Sequence, residues 1–379
     1  MPPGKRIYLV AGESSGDAHG AVLMREILRR IPDVQFFGAG GPEMQTIAGK
    51  HFLDWTAEAV VGLWDVIVKY PYFRQKFYQM YAEIRELNPE AVIFVDYPGF
   101  NLRLARHLHR KKFRGRKIYY ISPQVWAWYR GRISQMSRFL DLMLCIFPFE
   151  KPLYEASGLR TEFVGHPMLA HLEKRRISVT RDPQLIGLLP GSREREVRRI
   201  LPTMLNAASL LKQRNGGLRF EVSAASEKLT VLIERIAAAS GFNTLPISVA
   251  NASGLMQRAA LGMVASGTAT MESSFFRFPF VLIYKVSWLT FIPGRLLVRV
   301  EHLGMPNILA GRTMIPEFIQ HQARPEAIAD AVWQLYNDES SRASMIRGMD
   351  EVILQLTEIE AGHRAAEIVL RELGAPALK

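Results

Sequence analysis

Three short stretches bring together residue types that do group-transfer chemistry. In "VIFVDYPGFN", 92–101, four apolar residues end abruptly on Asp96. A carboxylate at the C-terminal end of a buried parallel strand faces the crevice where ligands bind. There it can take a proton from an attacking hydroxyl. The alternative is an Asp that caps the turn before Pro98, with Asn101 capping the helix that follows. In "GMVASGTATMESSFF", 262–276, Ser266, Gly267, Thr268 and Ala269 turn a strand into a helix opened by small residues. A helix N-terminus exposes unpaired N–H groups and partial positive charge, and so attracts phosphate. Glu272, one turn later, repels phosphate but can accept hydrogen bonds from sugar hydroxyls; the other reading is a capped helix with an exposed Glu. In "LLPGSREREVRRI", 188–200, Arg193 follows a strand and a glycine turn, in a place to clamp diphosphate oxygens. Arg195, Arg198 and Arg199 interleave with Glu194 and Glu196 as a solvated helix face.

The opening loop "VAGESSGD", 10–17, looks like a nucleotide loop in another register. Its glycines are Gly12, Gly16 and Gly20. A nicotinamide dinucleotide site needs G-x-G-x-x-G with an acidic residue about 20 positions on. In "SPQVWAWYRGRI", 122–133, Trp126, Trp128 and Tyr129 alternate with Arg130 and Arg132. Such a pattern grips a sugar, a lipid headgroup or nucleic acid, or is core aromatics beside surface arginines. The histidines lack metal-ligand spacing and one cysteine cannot build a zinc knuckle, so neither metal nor cofactor is expected. His19 lies near the opening loop.

Parallel strands must position these residues. "RIYLVAG", "VQFFGAGG", "PEAVIFVDYPGF", "KIYYISPQVWAW" and "LDLMLCIFPFE" are near-continuous apolar runs separated by helical patterns, and a second cycle starts near 180 with "QLIGLLPGSREREV". That alternation predicts α/β architecture: two doubly wound parallel-sheet domains facing a cleft. A length of 379 residues suits two domains. The expected division is 1–170 and 171–344, with 345–379 packing back on the first and a linker within 165–182.

Net charge is +12, which points to a polyanionic partner: nucleic acid, an anionic membrane or a phosphorylated substrate. No aromatic stacking module for nucleic acid is visible, so no nucleic-acid partner is expected. No apolar run reaches the ~18–20 residues that span a bilayer, and no leader pattern opens the chain. Cys145, the single cysteine, sits in "LMLCIF" and reads as a buried apolar residue in a reducing compartment. The apolar segment 59–73 beside the basic run "RLARHLHRKKFRGRK", 103–117, suits a peripheral membrane surface better than RNA; a solvated basic helix face is the alternative. Assembly into a homodimer stays open.

The strings "AGESSGD", "GAGG", "VDYPGFN", "SPQVWAW", "FPFE", "FVGHP", "LPGSR", "ASGTATME" and "MPNILAGR", in one order from about residue 7 to about 320, resemble the lipid-A-disaccharide synthase family. These are GT-B glycosyltransferases with two Rossmann-like domains. The resemblance implies transfer from UDP-2,3-diacylglucosamine to 2,3-diacylglucosamine 1-phosphate (lipid X). The products are a β-1,6-linked disaccharide 1-phosphate and UDP, formed with inversion and no obligatory metal, at the inner face of the Gram-negative cytoplasmic membrane. Carried over by motif, the UDP site falls on Ser266, Gly267, Thr268, Ala269, Glu272 and Asn307, with Arg193 at the diphosphate. The essential aspartate falls on Asp96. Gly12, Glu13, Ser14, Ser15, Gly16 and Trp126 then belong to the acceptor side. Two positions depart from the family pattern: Gly99 stands where a second Asp is common, and Tyr129 where an Arg is. A different UDP-sugar enzyme on the same fold is the nearest rival; a soluble acceptor would not require the apolar 59–73 segment.

Overall fold

A computed structural model describes residues 5–49, 52–55, 70–128, 131–286, 301–357 and 360–374. The chain divides into two compact units, Met1–Pro167 with Leu356–Lys379, and Met168–Gln355. The return therefore starts later than the expected 345. The helix Glu339–Thr357 is held to the second unit by Arg277–Asp350 and Arg312–Glu351 ion pairs, each at 2.6 Å.

The first unit is built on β1 (Arg6–Ala11), β2 (Gln35–Gly40), β3 (Phe52–Asp54), β4 (Ala91–Val95), β5 (Arg116–Tyr120), β6 (Leu142–Cys145) and β7 (Thr161–Phe163). These form one sheet in the order β3-β2-β1-β4-β5-β6-β7, with every pairing parallel. β4 is buried along its whole length, as a strand covered by helices on both faces must be. The order reverses between β1 and β4, whose register sets Val10 beside Phe94 and Ala11 beside Val95. In an open parallel sheet that reversal leaves a crevice outside the strand ends, the usual ligand position.

The second unit repeats the scheme with β8 (Asp182–Leu189), β9 (Arg219–Ala224), β10 (Ile247–Val249), β11 (Ala259–Ala265), β12 (Phe280–Tyr284) and β13 (Glu317–Ile319). The order is β10-β9-β8-β11-β12-β13, again parallel, and the reversal lies between β8 and β11. The three-residue strands β3, β7, β10 and β13 and the helix Pro42–Ala48 are too short to show a period in the sequence.

The helix Ala361–Glu372 packs on the helix Ser14–Arg30 of the first unit. Gly362 admits Val22 there: a Cβ at 362 would lie 2.4 Å from Val22 Cγ1. At the far end Glu372, 7% exposed, meets Arg116 Nε at 3.2 Å and Arg160 Nη1 at 2.5 Å. Among the described residues no helix is long and apolar enough to cross a membrane. Cys145 is buried. Of the apolar segment 59–73, residues 59–69 lie outside the described residues, as does Tyr129.

Candidate active site

Each unit carries part of the expected chemistry on the C-terminal ends of the two strands at its order reversal. In the first unit these are the loop after β1 and the turn after β4. Asp96 and Tyr97 both take the left-handed conformation, φ 48° and 49°. Two side chains hold that turn. Asn101 Nδ2 donates to the carbonyls of Val10 at 3.1 Å, Val95 at 3.3 Å and Asp96 at 2.8 Å. The Tyr119 hydroxyl donates to the Asp96 carbonyl at 2.6 Å. Asn101 therefore does not cap the helix Pro98–Arg110; it ties the ends of β1 and β4 together. The capping position is Tyr97, so Asp96 does not fill that role either.

With its backbone pinned, Asp96 has a carboxyl tuned by its surroundings. Burial pushes it up to about 6, the Glu13 charge adds to the rise, and the Tyr97 backbone amide opposes it. A carboxylate titrating near neutrality is suited to accept a proton from a hydroxyl. Glu13, Ser14 and Ser15 are exposed at the start of the 17-residue helix Ser14–Arg30. Gly16 is buried against Ala11 and the Val95 carbonyl, and Gly12 against the Tyr97 ring. Asp17, from the same stretch, accepts the N–H groups of Gly41, Glu43 and Met44 at 2.8, 3.0 and 3.0 Å. It thereby caps the helix Pro42–Ala48. His19 interacts with His166, which burial drives down to about 4, His19's charge adding to the fall.

Trp126 is 4% exposed. Its indole N–H donates to Glu150 Oε1 at 2.8 Å and its ring meets Phe149 edge-on at 4.8 Å. The structure thus favours the core-aromatic reading of this residue over a ligand-gripping one.

In the second unit Gly191, two residues past the end of β8, takes φ 108°. A Cβ there would lie 2.4 Å from Glu196 Oε2. That oxygen accepts the N–H groups of Ser192 at 3.1 Å and Arg193 at 3.3 Å. Glu196 thus leaves the solvated row expected of it and closes the loop, whereas Glu194 and Arg198 pair on the surface at 2.8 Å. The Arg193 side chain is 72% exposed, its guanidinium 3.7 Å from Glu196.

Beside this loop β11 ends at Ala265. Ser266 N–H donates to the Ile283 carbonyl at 3.1 Å, and Gly267 turns at φ 146° into the helix Thr268–Phe275. Gly267 and Thr268 are exposed, Ser266 and Ala269 half-buried. The Thr270 hydroxyl donates back to the Gly267 carbonyl at 2.8 Å, which fixes the first turn. Glu272 is raised by burial, while the charge of Arg175 opposes the rise.

Asn307, 0% exposed, spends its polar atoms internally. Nδ2 donates to the Ile315 carbonyl and Glu317 Oε1, both at 2.8 Å, and Oδ1 accepts from Met314 and Ile315 N–H at 3.0 Å. Glu317, which sequence reasoning missed, also takes the N–H groups of Leu303 and Gly304 at 2.8 and 2.9 Å. Among the described residues no group of three or more His, Cys, Asp or Glu is placed to hold a metal ion.

Residues 7–371 match the lipid-A-disaccharide synthetase family. The lipid-A-disaccharide synthase of Trichlorobacter lovleyi is 40% identical over 97% of each chain. Among solved structures, UDP-GlcNAc 2-epimerase from Neisseria meningitidis bound to UDP-GlcNAc has a TM-score of 0.62 at 10% identity, over 97% of this chain and 99% of that one. A calicheamicin glycosyltransferase has a TM-score of 0.56 at 13% identity over the whole of both chains. These structural likenesses carry the fold, which is GT-B. The sequence relationship carries the enzyme class: the chain belongs to the lipid-A-disaccharide synthetase family and is a glycosyltransferase of lipid A biosynthesis.

Proposed function

We propose that the chain transfers 2,3-diacylglucosamine from its UDP derivative to the 6-hydroxyl of lipid X, with inversion at the anomeric carbon. Asp96 accepts the hydroxyl proton as the oxygen attacks. The bond to UDP breaks, and the electron pair leaves with the diphosphate. One base suffices for an inverting transfer; a second carboxylate acting in turn belongs to retaining chemistry. Backbone N–H groups at 266–269 and the exposed guanidinium of Arg193 stabilise the leaving diphosphate. Glu272 takes sugar hydroxyls. Asn307 acts on the nucleotide through the loop it holds. Glu13, Ser14, Ser15 and the glycines beside them line the acceptor side, where the N-terminal end of a long helix suits the lipid X phosphate.

The observation that carries this reading is the Asp96 carboxyl. Asp96 ends a buried strand at the order reversal, where Asn101 and Tyr119 hold its backbone carbonyl and Tyr120 its N–H. An assay with labelled lipid X and the UDP-diacyl donor tests it. Wild type should form the disaccharide and Asp96→Asn should lose at least about a hundredfold in kcat, the usual worth of a general base. Near-full activity in Asp96→Asn removes the base assignment; no product from wild type removes the reaction.

The enzyme works as a peripheral protein on the cytoplasmic face of the inner membrane. The net charge of +12 and the exposed Tyr70 and Tyr78, with the Arg74 guanidinium 6.0 Å from the Tyr78 ring, support this. Each Lys or Arg near an anionic surface contributes about 1 kcal/mol. Flotation with anionic liposomes should weaken in a Trp64→Glu, Val68→Glu variant; undiminished binding removes 59–69 from the contact.

A further inference from the structure

Glu150 carries a carboxyl that the proposed transfer does not use. It is 0% exposed, and among the described residues no cation pairs with it. Its Oε2 accepts the Ser122 hydroxyl at 2.5 Å and the Phe147 N–H at 3.2 Å, and its Oε1 accepts the Trp126 indole N–H at 2.8 Å. Burying an ionisable group this deeply is costly, and the arrangement persists because three donors converge on it.

Two of those donors come from the segment that follows β5, Ser122 from its opening turn and Trp126 from the short helix Val125–Trp128 that the turn leads into. That turn starts at Ile121, which takes φ 67°. A β-branched side chain strongly disfavours the left-handed region, so the surroundings must hold it there. The Tyr154 hydroxyl adds a bond to the Pro123 carbonyl at 2.7 Å. Just before the turn, the Tyr120 carbonyl accepts the Asp96 N–H at 2.9 Å, and the hydroxyl of Tyr119 holds the Asp96 carbonyl. The strained turn and Asp96 thus share one stretch of β5, and Gln124 is exposed on the turn's outer side.

We propose that Glu150 is a positioning residue of the acceptor half, holding the strained turn at 121–124 and the short helix after it through Ser122 and Trp126, beside the strand end that carries Asp96. Trp126 then serves the acceptor by its indole N–H to Glu150, with its ring in the core. The inference rests on the acceptor-side reading of Asp96 given above.

The test is steady-state kinetics with lipid X and the UDP-diacyl donor on Glu150→Gln, Ser122→Ala and Trp126→Phe. Gln keeps the size of Glu150 but sets its NH₂ against a donor. Ser122→Ala and Trp126→Phe each delete one donor and leave the carboxyl in place, so they decide the matter if Glu150→Gln does not fold. The KM for lipid X should rise about tenfold in Glu150→Gln and about threefold in the other two, the scale expected when a positioned group shifts by a fraction of an ångström. The donor KM and UDP binding by calorimetry should stay unchanged. An unchanged lipid X KM in all three variants overturns the inference, as does a rise shared equally by donor and acceptor. An Asp96→Asn control separates the layers: an active Asp96→Asn sinks the acceptor-side reading itself, while an inactive one beside unmoved lipid X KM values sinks the role of Glu150 alone.

Discussion

The ring of Tyr97 lies directly on the backbone of Gly12, so close that a Cβ on residue 12 would sit 2.2 Å from Tyr97 Cδ1. Trp55 backs the same ring, edge-on at 6.1 Å, and its indole N–H donates to the Ala11 carbonyl at 2.5 Å. Tyr97 is covalently next to Asp96, so the first loop and the candidate base are mechanically one unit. Gly12→Ala must push the ring aside, and with it the turn that aims Asp96. We expect kcat to fall about a hundredfold from the misplacement. Gly99→Ala, where nothing lies within 4 Å of the new methyl group, should stay within about twofold. Comparing the two kcat values checks this; equal effects would separate Gly12 from the catalytic geometry.

The pH profile should show an acid limb set by Asp96. With its carboxyl at about 6, kcat/KM should rise tenfold per pH unit up to that point and then level. Glu13→Gln removes a like charge, so the limb should move to lower pH; it should not reach the ordinary carboxylate value, because burial is the larger cause. A limb unmoved by Glu13→Gln would remove that charge from the account.

Stability should run the other way. A carboxyl raised in the folded state binds its proton more tightly there than in the unfolded chain. Its contribution is complete below the ordinary value of about 4 and is lost as pH rises through about 6. Asp96→Asn should therefore gain more in Tm at pH 8 than at pH 5. Thermal unfolding of both proteins at both pH values measures it, and an equal shift at the two would contradict it.

Asn307→Ala leaves two N–H groups, one carbonyl and the Glu317 carboxylate short of partners inside the second unit. Each buried unsatisfied group costs about 1–3 kcal/mol. We expect at least about 3 kcal/mol of lost stability in urea unfolding and a matching loss of UDP affinity. A fully stable variant that fails to bind UDP would show that Asn307 meets the nucleotide directly.

Glu372→Ala should loosen the C-terminal helix. Glu372 is nearly buried between two half-exposed arginines, so its loss should cost about 1–2 kcal/mol. Amide hydrogen exchange should quicken along 361–372 and leave β8–β13 unchanged; faster exchange in both units would mean a global effect.

The amino-acid sequence by itself determined the family, the two parallel-sheet units and the stretches that carry the chemistry. Near-continuous apolar runs and their glycine turns are local signals, and "VIFVD" announces a strand ending on a carboxylate without reference to anything else. Tertiary structure decided what holds each stretch. Asn101 reads locally as a helix cap; its partner Val10 is 91 residues away and brings it to the β1 and β4 carbonyls. Glu196 reads as one of a solvated row until the left-handed Gly191 lets it fold back onto the loop. Asn307 reads as a nucleotide ligand, and the fold spends its hydrogen bonds on 314–317. Trp126 reads equally as a ligand grip or a core aromatic, and Glu150, 24 positions on, draws it inward. The physical reason is the same in each case. A polar side chain is committed by whichever donors and acceptors the fold buries around it, whether in its own loop, as Ser192 and Arg193 are for Glu196, or on a strand distant in sequence, as Val10 is for Asn101.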